Sequence, residues 1–316
     1  MKGVILDAAS LGNDIDLGPI TSLLDSWDVY PSTRPAETAE RVRGKTVVLS
    51  NKILLDEKTL AATDTLRYVS VMATGTNNVD LAAASNLNIQ VSNAVGYATP
   101  SVVQHTISLL LALARSLPAY LQDVRDGRWQ ESPVFCLLDH PMQEISGKQL
   151  GIVGYGELGR GVARAAEALG MKIAISERPG QTVRENRMPF AEVLSTSDFL
   201  SLHCPLTDAT AGLIGAAELA QMKKTAYLIN TARGGLVDSD ALINALRTGE
   251  IAGAAIDVLD QEPARPDEPL ITNLSNLLVT PHNAWGAIES RQRLVMQMRE
   301  NIEGFISGNP PRLVTR

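Results

Sequence analysis

The chain has 316 residues, 45% of them hydrophobic, so it is long enough to form two domains with separate cores. Its formal net charge of −7 argues against a nucleic-acid-binding surface, because phosphate binding depends on clustered Lys and Arg. Cys136 and Cys204 have no zinc-binding spacing, and the longest apolar run, residues 107–114, is far shorter than the roughly 20 residues of a membrane span. We therefore expect a cytoplasmic protein with no metal and with neither nucleic acid nor membrane as a partner.

In the first hundred residues, short apolar runs alternate with helical stretches. GVILD, TVVLS and RYVSVMA read as strands, and AETAERVRG and VDLAAASN read as helices. Such alternation is typical of a parallel α/β sheet. A long apolar helix is then predicted from about residue 101 to residue 126, and Pro118 should kink or divide it because proline removes a backbone donor.

A second α/β series begins at KQLGIVGYGELG and continues through MKIAISE, DFLSLHCP, AYLINTARGG, GAAIDVL and NLLVTPH. This content predicts a doubly wound sheet. The last helix, near residues 287–307, carries Val295, Met298 and Ile302 on one face and is expected to return to the first domain. The prediction is two doubly wound parallel-sheet α/β domains, one discontinuous (1–100 and 284–316) and one continuous (101–283).

The second series opens with a glycine-rich turn. Gly154, Gly156 and Gly159 follow the strand LGIV and precede a helix, which is the context that a dinucleotide-binding turn requires. The helix amino terminus offers N–H groups and a positive dipole end to a pyrophosphate. The alternative is a tight turn without a ligand, and the surrounding strand and helix favour the dinucleotide.

Glu177 ends the next strand, 18 residues after Gly159, where a carboxylate can accept hydrogen bonds from ribose hydroxyls and repel the 2′-phosphate of NADP. Arg178, Arg184 and Arg187 follow closely and offer cations to such a phosphate. A solvated surface loop is the preferred interpretation of these arginines. The sequence therefore favours NAD as the cofactor, with NADP possible.

Three polar residues follow later strands of the same series. Arg233 comes after AYLIN, Glu262 after GAAIDVL and His282 after NLLVTP. The carboxyl ends of parallel strands meet at one edge of a sheet, so these residues are predicted to converge. Arg233 can grip a carboxylate, His282 can act as an acid or base, and Glu262 can orient the imidazole. Taken singly, Arg233 could be a surface charge, Glu262 a turn residue and His282 a helix cap. Their joint placement favours a catalytic site.

Other polar groups lie beside the same strand ends. His203, Cys204 and Pro205 end FLSLHCP, where they either line an adenosine pocket or pack in the core. Asp257 lies in an apolar run and needs a partner, either a nicotinamide carboxamide or a backbone donor.

With its flanking segments NTARGGLVD, DVLDQEP and TPHNAW, the chain resembles the D-isomer-specific 2-hydroxyacid dehydrogenase family over nearly its full length. Within that family, SNKILLD, ATGTNNVDL and RWQESPVFCLLDHP look most like glycerate dehydrogenases, also called hydroxypyruvate reductases. The resemblance implies a Rossmann-type NAD-binding domain and a flavodoxin-like substrate domain.

The implied reaction is hydride transfer between NAD(H) and a small D-2-hydroxy acid or 2-oxo acid, with D-glycerate and hydroxypyruvate expected. The resemblance makes Arg233 the carboxylate anchor, Glu262 the partner of His282, and His282 the acid/base. Alternatives are a glyoxylate or other 2-oxo-acid reductase, then a phosphoglycerate dehydrogenase, and then a nucleotide-sensing corepressor-like binding protein.

The resemblance also adds contacts by position. In addition to Arg233, the residues expected to contact the substrate are Asn51, Lys52, Thr74, Gly75 and Thr76. Without the resemblance, Thr74 to Thr76 would be interpreted as a strand-to-helix turn and Lys52 as a solvated charge. In addition to the glycine-rich turn, Glu177 and the segment His203 to Pro205, the residues expected to contact the cofactor are Glu157, Leu158, Thr210, Thr231, Ala232, Asp257 and Ala284, together with Arg233 and His282. A homodimer formed through the long helix and the segment 128–141 is also implied.

Overall fold

The computed structural model describes residues 1–315. The chain divides into two compact units. The first unit comprises Met1–Ala98 together with the chain from Gly286, and the second comprises Thr99–Trp285.

The first unit is built on five parallel strands in the order β2-β1-β3-β4-β5. Their bounds are β1 Lys2–Ile5, β2 Ser26–Val29, β3 Val47–Ser50, β4 Tyr68–Val71 and β5 Gln90–Ser92. The helices that connect them are α1 Gly18–Thr21, α2 Pro35–Val42, α3 Glu57–Leu60 and α4 Leu81–Asn86, with a short 3-10 helix at Ala8–Leu11. This strand order is flavodoxin-like, and the predicted fold class is confirmed for this unit.

Local sequence explains these elements. β3 and β4 are buried throughout, as expected of parallel strands covered on both faces, which read as continuous apolar runs. α3 and α4 each begin after an aspartate whose carboxylate accepts a backbone N–H of the first turn: Asp56 from Thr59 and Asp80 from Ala83, both at 2.9 Å. The turns are therefore fixed by short-range hydrogen bonds, and the apolar strands form the core.

The second unit is built on six parallel strands in the order β11-β10-β9-β8-β6-β7. Their bounds are β6 Gln149–Val153, β7 Lys172–Ile175, β8 Phe199–Leu202, β9 Tyr227–Asn230, β10 Gly253–Ile256 and β11 Leu277–Val279. The helices are α5 Thr99–Ala114, α6 Leu117–Arg125, α7 Glu157–Ala168, α8 Phe190–Thr196, α9 Ala216–Leu219 and α10 Ser239–Thr248, with a 3-10 helix at Gly234–Leu236. The predicted doubly wound sheet is confirmed. The strand order reverses between β6 and β8, where such sheets bind ligands.

The long apolar helix is divided, as the proline predicts. α5 and α6 are bent by 65° at a break that contains Ser116, whose φ is 47°, and Pro118 lies in the first turn of α6. Proline suits that position because its missing N–H has no partner there in any helix. Within residues 1–315 no single helix is long and apolar enough to cross a membrane, although this bent pair passes the same test when both helices are counted together.

The last helix, α11, spans Ile288–Ile306 and belongs to the first unit. The predicted face is buried, with Val295, Met298 and Ile302 at most 2% exposed. The Met298 sulfur lies 3.2 Å from the Ser70 hydroxyl on β4, and Asn301 donates to that hydroxyl at 3.1 Å. A buried polar contact of this kind fixes the position of α11 on the sheet.

Candidate active site

The glycine-rich turn has the shape needed to hold a dinucleotide. Gly154 has φ of 96°, and a Cβ there would lie 2.5 Å from the backbone nitrogen of Cys204. A Cβ on Gly159 would lie 2.1 Å from the Gly154 carbonyl oxygen, whereas one on Gly156 would meet nothing within 4 Å. The first and third glycines are therefore required by close packing, and the second faces open space at the start of α7. Since α7 has no side-chain N-cap, its first N–H groups are suited to an anion.

A cavity of about 520 Å³ lies beside this turn. It extends from Gly154 and Gly156 past Glu177 to Thr210, and His203, Cys204 and Pro205 are all in its wall. The His203 ring donates to or accepts from the Ser201 hydroxyl at 2.9 Å, and burial lowers the pKa of His203 to about 4, so the ring is neutral. Within residues 1–315 its buried Nδ1 has no hydrogen-bond partner. The cavity, the open turn and this polar atom fit the adenosine end of a dinucleotide.

Glu157 is an anion at the place where an anion is expected to bind. It is the first residue of α7, and the Thr99 hydroxyl donates to its Oε1 at 2.6 Å. Like charges near one helix end repel each other, so this carboxylate opposes a pyrophosphate while Thr99 restrains it. Leu158, predicted beside it, is half-buried in the same turn.

We therefore expect Glu157→Gln to strengthen NADH binding about two- to fivefold, the equivalent of one charge at a helix end. Quenching of protein fluorescence by NADH measures the dissociation constant without turnover. Glu167→Gln, at the exposed far end of α7, is the matched control. Weaker binding by Glu157→Gln would show instead that the carboxylate supports the turn.

Glu177 follows β7 at the cavity wall, but its partners differ from those expected. The side chain is 2% exposed, and Arg184 holds it with two bonds of 2.6 Å, Nε to Oε2 and Nη2 to Oε1. The backbone N–H of Arg178 donates to Oε1 at 2.9 Å. The hydrogen bonds from Arg184 lead the causes that lower the pKa of Glu177 to about 2. Arg178 and Arg184 are exposed, as the preferred interpretation of a solvated loop expects, but Arg184 also pairs with Glu177, and Arg178, Arg184 and Arg187 all line the cavity.

Arg233 is positioned by the end of β9. The buried Asn230 amide donates to the Arg233 carbonyl at 2.8 Å, and its oxygen accepts the Ala232 N–H at 3.0 Å. The Thr231 hydroxyl meets that of Thr106 on α5 at 3.0 Å. These bonds fix the turn from which the half-buried Arg233 side chain extends. Asn230 was missed at the sequence level, although a polar residue that ends an apolar strand is a usable signal.

Glu262 and His282 form a pair. His282 Nδ1 lies 2.5 Å from Glu262 Oε2, and the other carboxylate oxygen accepts the Leu259 N–H at 3.0 Å. Arg233, Glu262 and His282 follow β9, β10 and β11, which are adjacent in the sheet. The expected hydrogen bond is therefore present, and all three residues lie beyond the carboxyl edge of neighbouring strands.

Asp257 holds the loop that carries His282. It is 1% exposed, and its carboxylate accepts from the Thr280 hydroxyl at 2.6 Å and from the N–H groups of Asn283 and Ala284 at 3.1 and 3.0 Å. Burial opposes ionisation of Asp257, but these bonds and His105 lower its pKa overall. Of the two partners considered for Asp257, the structure supplies the backbone donors.

The loop holds its histidine in an uncommon conformation. His282 has φ of 50°, which costs a non-glycine residue roughly 1–2 kcal/mol, and its N–H donates to the Asp257 carbonyl at 2.8 Å. His105 Nε2 lies 3.1 Å from the Thr280 hydroxyl, and these two side chains also support the His282 loop. Neither residue was assigned to the site from the sequence. Thr280 is two residues before His282 and is visible in the TPH motif, whereas His105 is distant in sequence.

The residues expected to contact substrate lie at the carboxyl edge of the first unit's sheet. Asn51 and Lys52 follow β3, and the buried carboxylate of Asp7, after β1, accepts their N–H groups at 2.9 and 2.8 Å. Burial is the main cause that raises the pKa of Asp7. The segment Thr74 to Thr76 follows β4, and the Asn93 amide donates to the Thr74 carbonyl at 2.7 Å. Asp7 was missed, although it ends the first apolar run.

Within residues 1–315 there is no group of three or more His, Cys, Asp or Glu side chains placed to hold a metal ion.

Comparison with known proteins identifies the family. The profile described as D-isomer specific 2-hydroxyacid dehydrogenase, NAD binding domain, matches residues 107–284. The chain belongs to the D-isomer specific 2-hydroxyacid dehydrogenase family. It is 43% identical over 287 residues to a glycerate dehydrogenase of Methylorubrum extorquens, covering 90% of each chain. It is 34% identical over 323 residues to a hydroxypyruvate reductase of Blautia hydrogenotrophica, covering 100% of each.

Among solved structures, this member of the family is similar to an NADPH-dependent glyoxylate/hydroxypyruvate reductase of Sinorhizobium meliloti in complex with NADP and malonate. The TM-score is 0.83 and the identity 27%, over 99% of this chain and 96% of the other. The family expected from NTARGGLVD, DVLDQEP and TPHNAW is thus confirmed, and the cavity beside Gly154 lies in the family's NAD-binding domain.

Proposed function

We propose that the protein reduces a small 2-oxo acid to its D-2-hydroxy acid with NADH, and catalyses the reverse oxidation, with hydroxypyruvate and D-glycerate as the preferred pair. The observation that carries the proposal is the 2.5 Å contact between His282 and Glu262 beside the strand that positions Arg233. The glycerate dehydrogenase and hydroxypyruvate reductase relatives support the choice of substrate.

In this mechanism Arg233 binds the substrate carboxylate with its planar fork and polarises the neighbouring carbonyl. Because Glu262 holds Nδ1 of His282, the proton passes from Nε2 to the carbonyl oxygen as the alcohol forms. The Glu262 carboxylate favours the charged imidazole by electrostatic attraction. Bound NADH supplies the hydride. In the direction of oxidation, His282 accepts the proton from the hydroxyl group.

The cofactor is proposed to lie along the glycine-rich turn, with the adenosine end in the cavity lined by His203, Cys204, Pro205 and Thr210. Thr231, Ala232 and Ala284 are proposed at the nicotinamide end, beside the strand ends that carry Arg233 and His282. We also propose that Asn51, Lys52, Thr74, Gly75 and Thr76 contribute to substrate binding.

A glyoxylate reductase is the second candidate, because the similar Sinorhizobium enzyme acts on both glyoxylate and hydroxypyruvate. The two substrates share the carboxylate and carbonyl that Arg233 is proposed to bind, and differ by a hydroxymethyl group. Discrimination between them rests on contacts to that hydroxyl.

The deciding experiment measures initial rates of NADH oxidation with hydroxypyruvate, glyoxylate, pyruvate and 3-phosphohydroxypyruvate in parallel. The highest kcat/KM with hydroxypyruvate supports the proposal, and a higher value with glyoxylate supports the second candidate. A preference for the phosphorylated acid would indicate a phosphoglycerate dehydrogenase. No turnover with any of the four, together with tight NADH binding, would favour the nucleotide-sensing alternative.

We also propose a homodimer formed through α5, α6 and the segment 128–141. This surface carries a series of exposed apolar side chains, which are Leu111, Leu117, Leu121, Val124, Trp129, Val134, Phe135 and Leu138. The segment is held to α6 by the buried Asp123, whose carboxylate pairs with Arg128 and His140 at 2.6 and 2.7 Å. Large apolar surfaces on an ordered scaffold favour association.

Leu121→Glu is therefore expected to shift the protein towards the monomer, because it places a charge within this surface. Light scattering after size exclusion measures the mass across a dilution series. Ile271→Glu, an exposed apolar residue of the same unit outside the surface, is the control and should leave the mass unchanged. A wild-type protein that is monomeric at every concentration would exclude the dimer.

We also propose a cytoplasmic location for the protein, because that compartment holds the dinucleotide pool that the proposed reaction uses.

A further inference from the structure

The partners of Glu177 change what its charge means for cofactor selection. An isolated acid at the end of β7 disfavours a 2′-phosphate by repulsion. Here Oε1 accepts from the Arg178 N–H and from Arg184 Nη2, and Oε2 accepts from Arg184 Nε, while Arg187 Nε lies 3.8 Å away. Bidentate pairing with a guanidinium offsets the carboxylate charge and occupies its acceptor positions. Because the pKa of Glu177 is about 2, the pair keeps this charge state throughout the neutral pH range.

The wall of the cavity is cationic as a result. Three guanidinium groups, those of Arg178, Arg184 and Arg187, line it with one ionised carboxylate, that of Glu177, and the only histidine in the wall, His203, is neutral. The net charge of the wall is therefore +2. Arg178 is exposed and Arg187 is anchored by a 3.2 Å bond to the Ser176 carbonyl at the end of β7. Guanidinium groups are the preferred partners of phosphate.

We propose that this cavity accepts NADPH as well as NADH, with Arg184 as the residue that permits it by neutralising Glu177, and with Arg178 and Arg187 as the partners of the 2′-phosphate. The inference rests on the proposed function only in assigning the cavity to the adenosine end of a dinucleotide. It goes beyond the sequence-based expectation, which favoured NAD because of Glu177 and kept NADP as possible. Arg184 thus determines cofactor specificity indirectly, by neutralising the charge of Glu177.

The proposal predicts opposite effects for the two members of the pair. Arg184→Gln exposes the ligand to an unneutralised carboxylate and should weaken binding of a 2′-phosphate selectively. Glu177→Gln removes the negative charge and should strengthen it. The double variant Glu177→Gln/Arg184→Gln removes both charges and should recover most of the binding that Arg184→Gln loses, which separates the charge effect from a loss of structure.

The test is isothermal titration calorimetry with adenosine 2′,5′-bisphosphate and with 5′-AMP, two probes of the adenosine end that require no turnover. For the wild type we expect the bisphosphate to bind at least as tightly as 5′-AMP. Arg184→Gln should weaken the bisphosphate about tenfold while changing 5′-AMP less than about twofold. Arg178→Gln gives a second variant that leaves Glu177 paired, and it should also weaken only the bisphosphate. Arg247→Gln, on the exposed end of α10, is the charge-matched control.

Binding of 5′-AMP without detectable binding of the bisphosphate by the wild type would overturn the proposal, and so would equal weakening of both probes by Arg184→Gln and Arg178→Gln. Steady-state kcat/KM with NADPH and NADH then follows for each variant that retains the wild-type melting temperature. If the probes bind as expected while no 2-oxo acid is reduced, the proposed function fails and the cofactor inference stands. If hydroxypyruvate is reduced with NADH but the bisphosphate does not bind, the proposed function stands and the cofactor inference fails.

Discussion

His282→Ala is expected to lower kcat by about 10²- to 10⁴-fold, the range over which a positioned acid or base contributes to a proton transfer. The imidazole is the group held by Glu262 at 2.5 Å at the end of β11, and alanine has no proton to transfer. Binding of NADH should change little, because the glycine-rich turn and the adenosine cavity are separate from this side chain. Stopped-flow or steady-state turnover with hydroxypyruvate, beside fluorescence titration of NADH, measures the two quantities.

Glu262→Gln is the informative companion to this variant. Glutamine can still contact the imidazole but has no negative charge to favour its protonated form, so kcat should fall less than in His282→Ala. The pH profile of kcat should also change in Glu262→Gln, whereas a variant that only loosens the loop would keep its shape. Wild-type turnover by His282→Ala would remove this residue from the mechanism.

Arg233→Lys is expected to raise KM for the 2-oxo acid and to lower kcat together. Lysine keeps the charge but replaces the planar fork by a point charge, so one of two charge-assisted hydrogen bonds is lost. Such a bond contributes about 1.5–3 kcal/mol, which corresponds to a fall of roughly 10- to 150-fold in kcat/KM. Initial rates over a range of hydroxypyruvate concentrations separate kcat from KM.

The control for this variant is Arg247→Lys, at an exposed site in the last turn of α10, which should have wild-type kinetics. The Arg233 side chain also donates to the Ala232 carbonyl at 2.6 Å, so the melting temperature of Arg233→Lys must be compared with that of the wild type. A folded Arg233→Lys protein with wild-type kcat/KM would exclude the anchor role.

Much of the fold and of the candidate site was predictable because the rules that fix them are local or topological. The turn GYGELG needs glycine at Gly154 and Gly159 for close backbone approach, which the Cβ contacts at those positions demonstrate. Polar residues that directly follow apolar parallel strands share one sheet edge, so the meeting of Glu262 and His282 followed from chain order alone. The division of the long helix near Pro118 followed from the missing N–H of proline.

The partners of buried charges were not predictable in the same way. Asp7 pairs with N–H groups 44 and 45 residues away, and His105 reaches Thr280 across 175 residues. No periodicity or spacing encodes such contacts, because they depend on which loops the sheet order brings together. Even the short-range pairing of Glu177 with Arg184, seven residues apart, depends on how one loop folds back onto the end of β7.

The sequence by itself therefore determined the fold class, the family and the chemical types at the strand ends, since strand pattern, glycine positions and residue order suffice for these. Only the tertiary structure decided what each charged group faces. Asp257 faces backbone N–H groups of the His282 loop, and Glu177 faces the guanidinium group of Arg184. The physical reason is that ionisation and repulsion depend on distances of a few ångströms between side chains, which chain order does not specify.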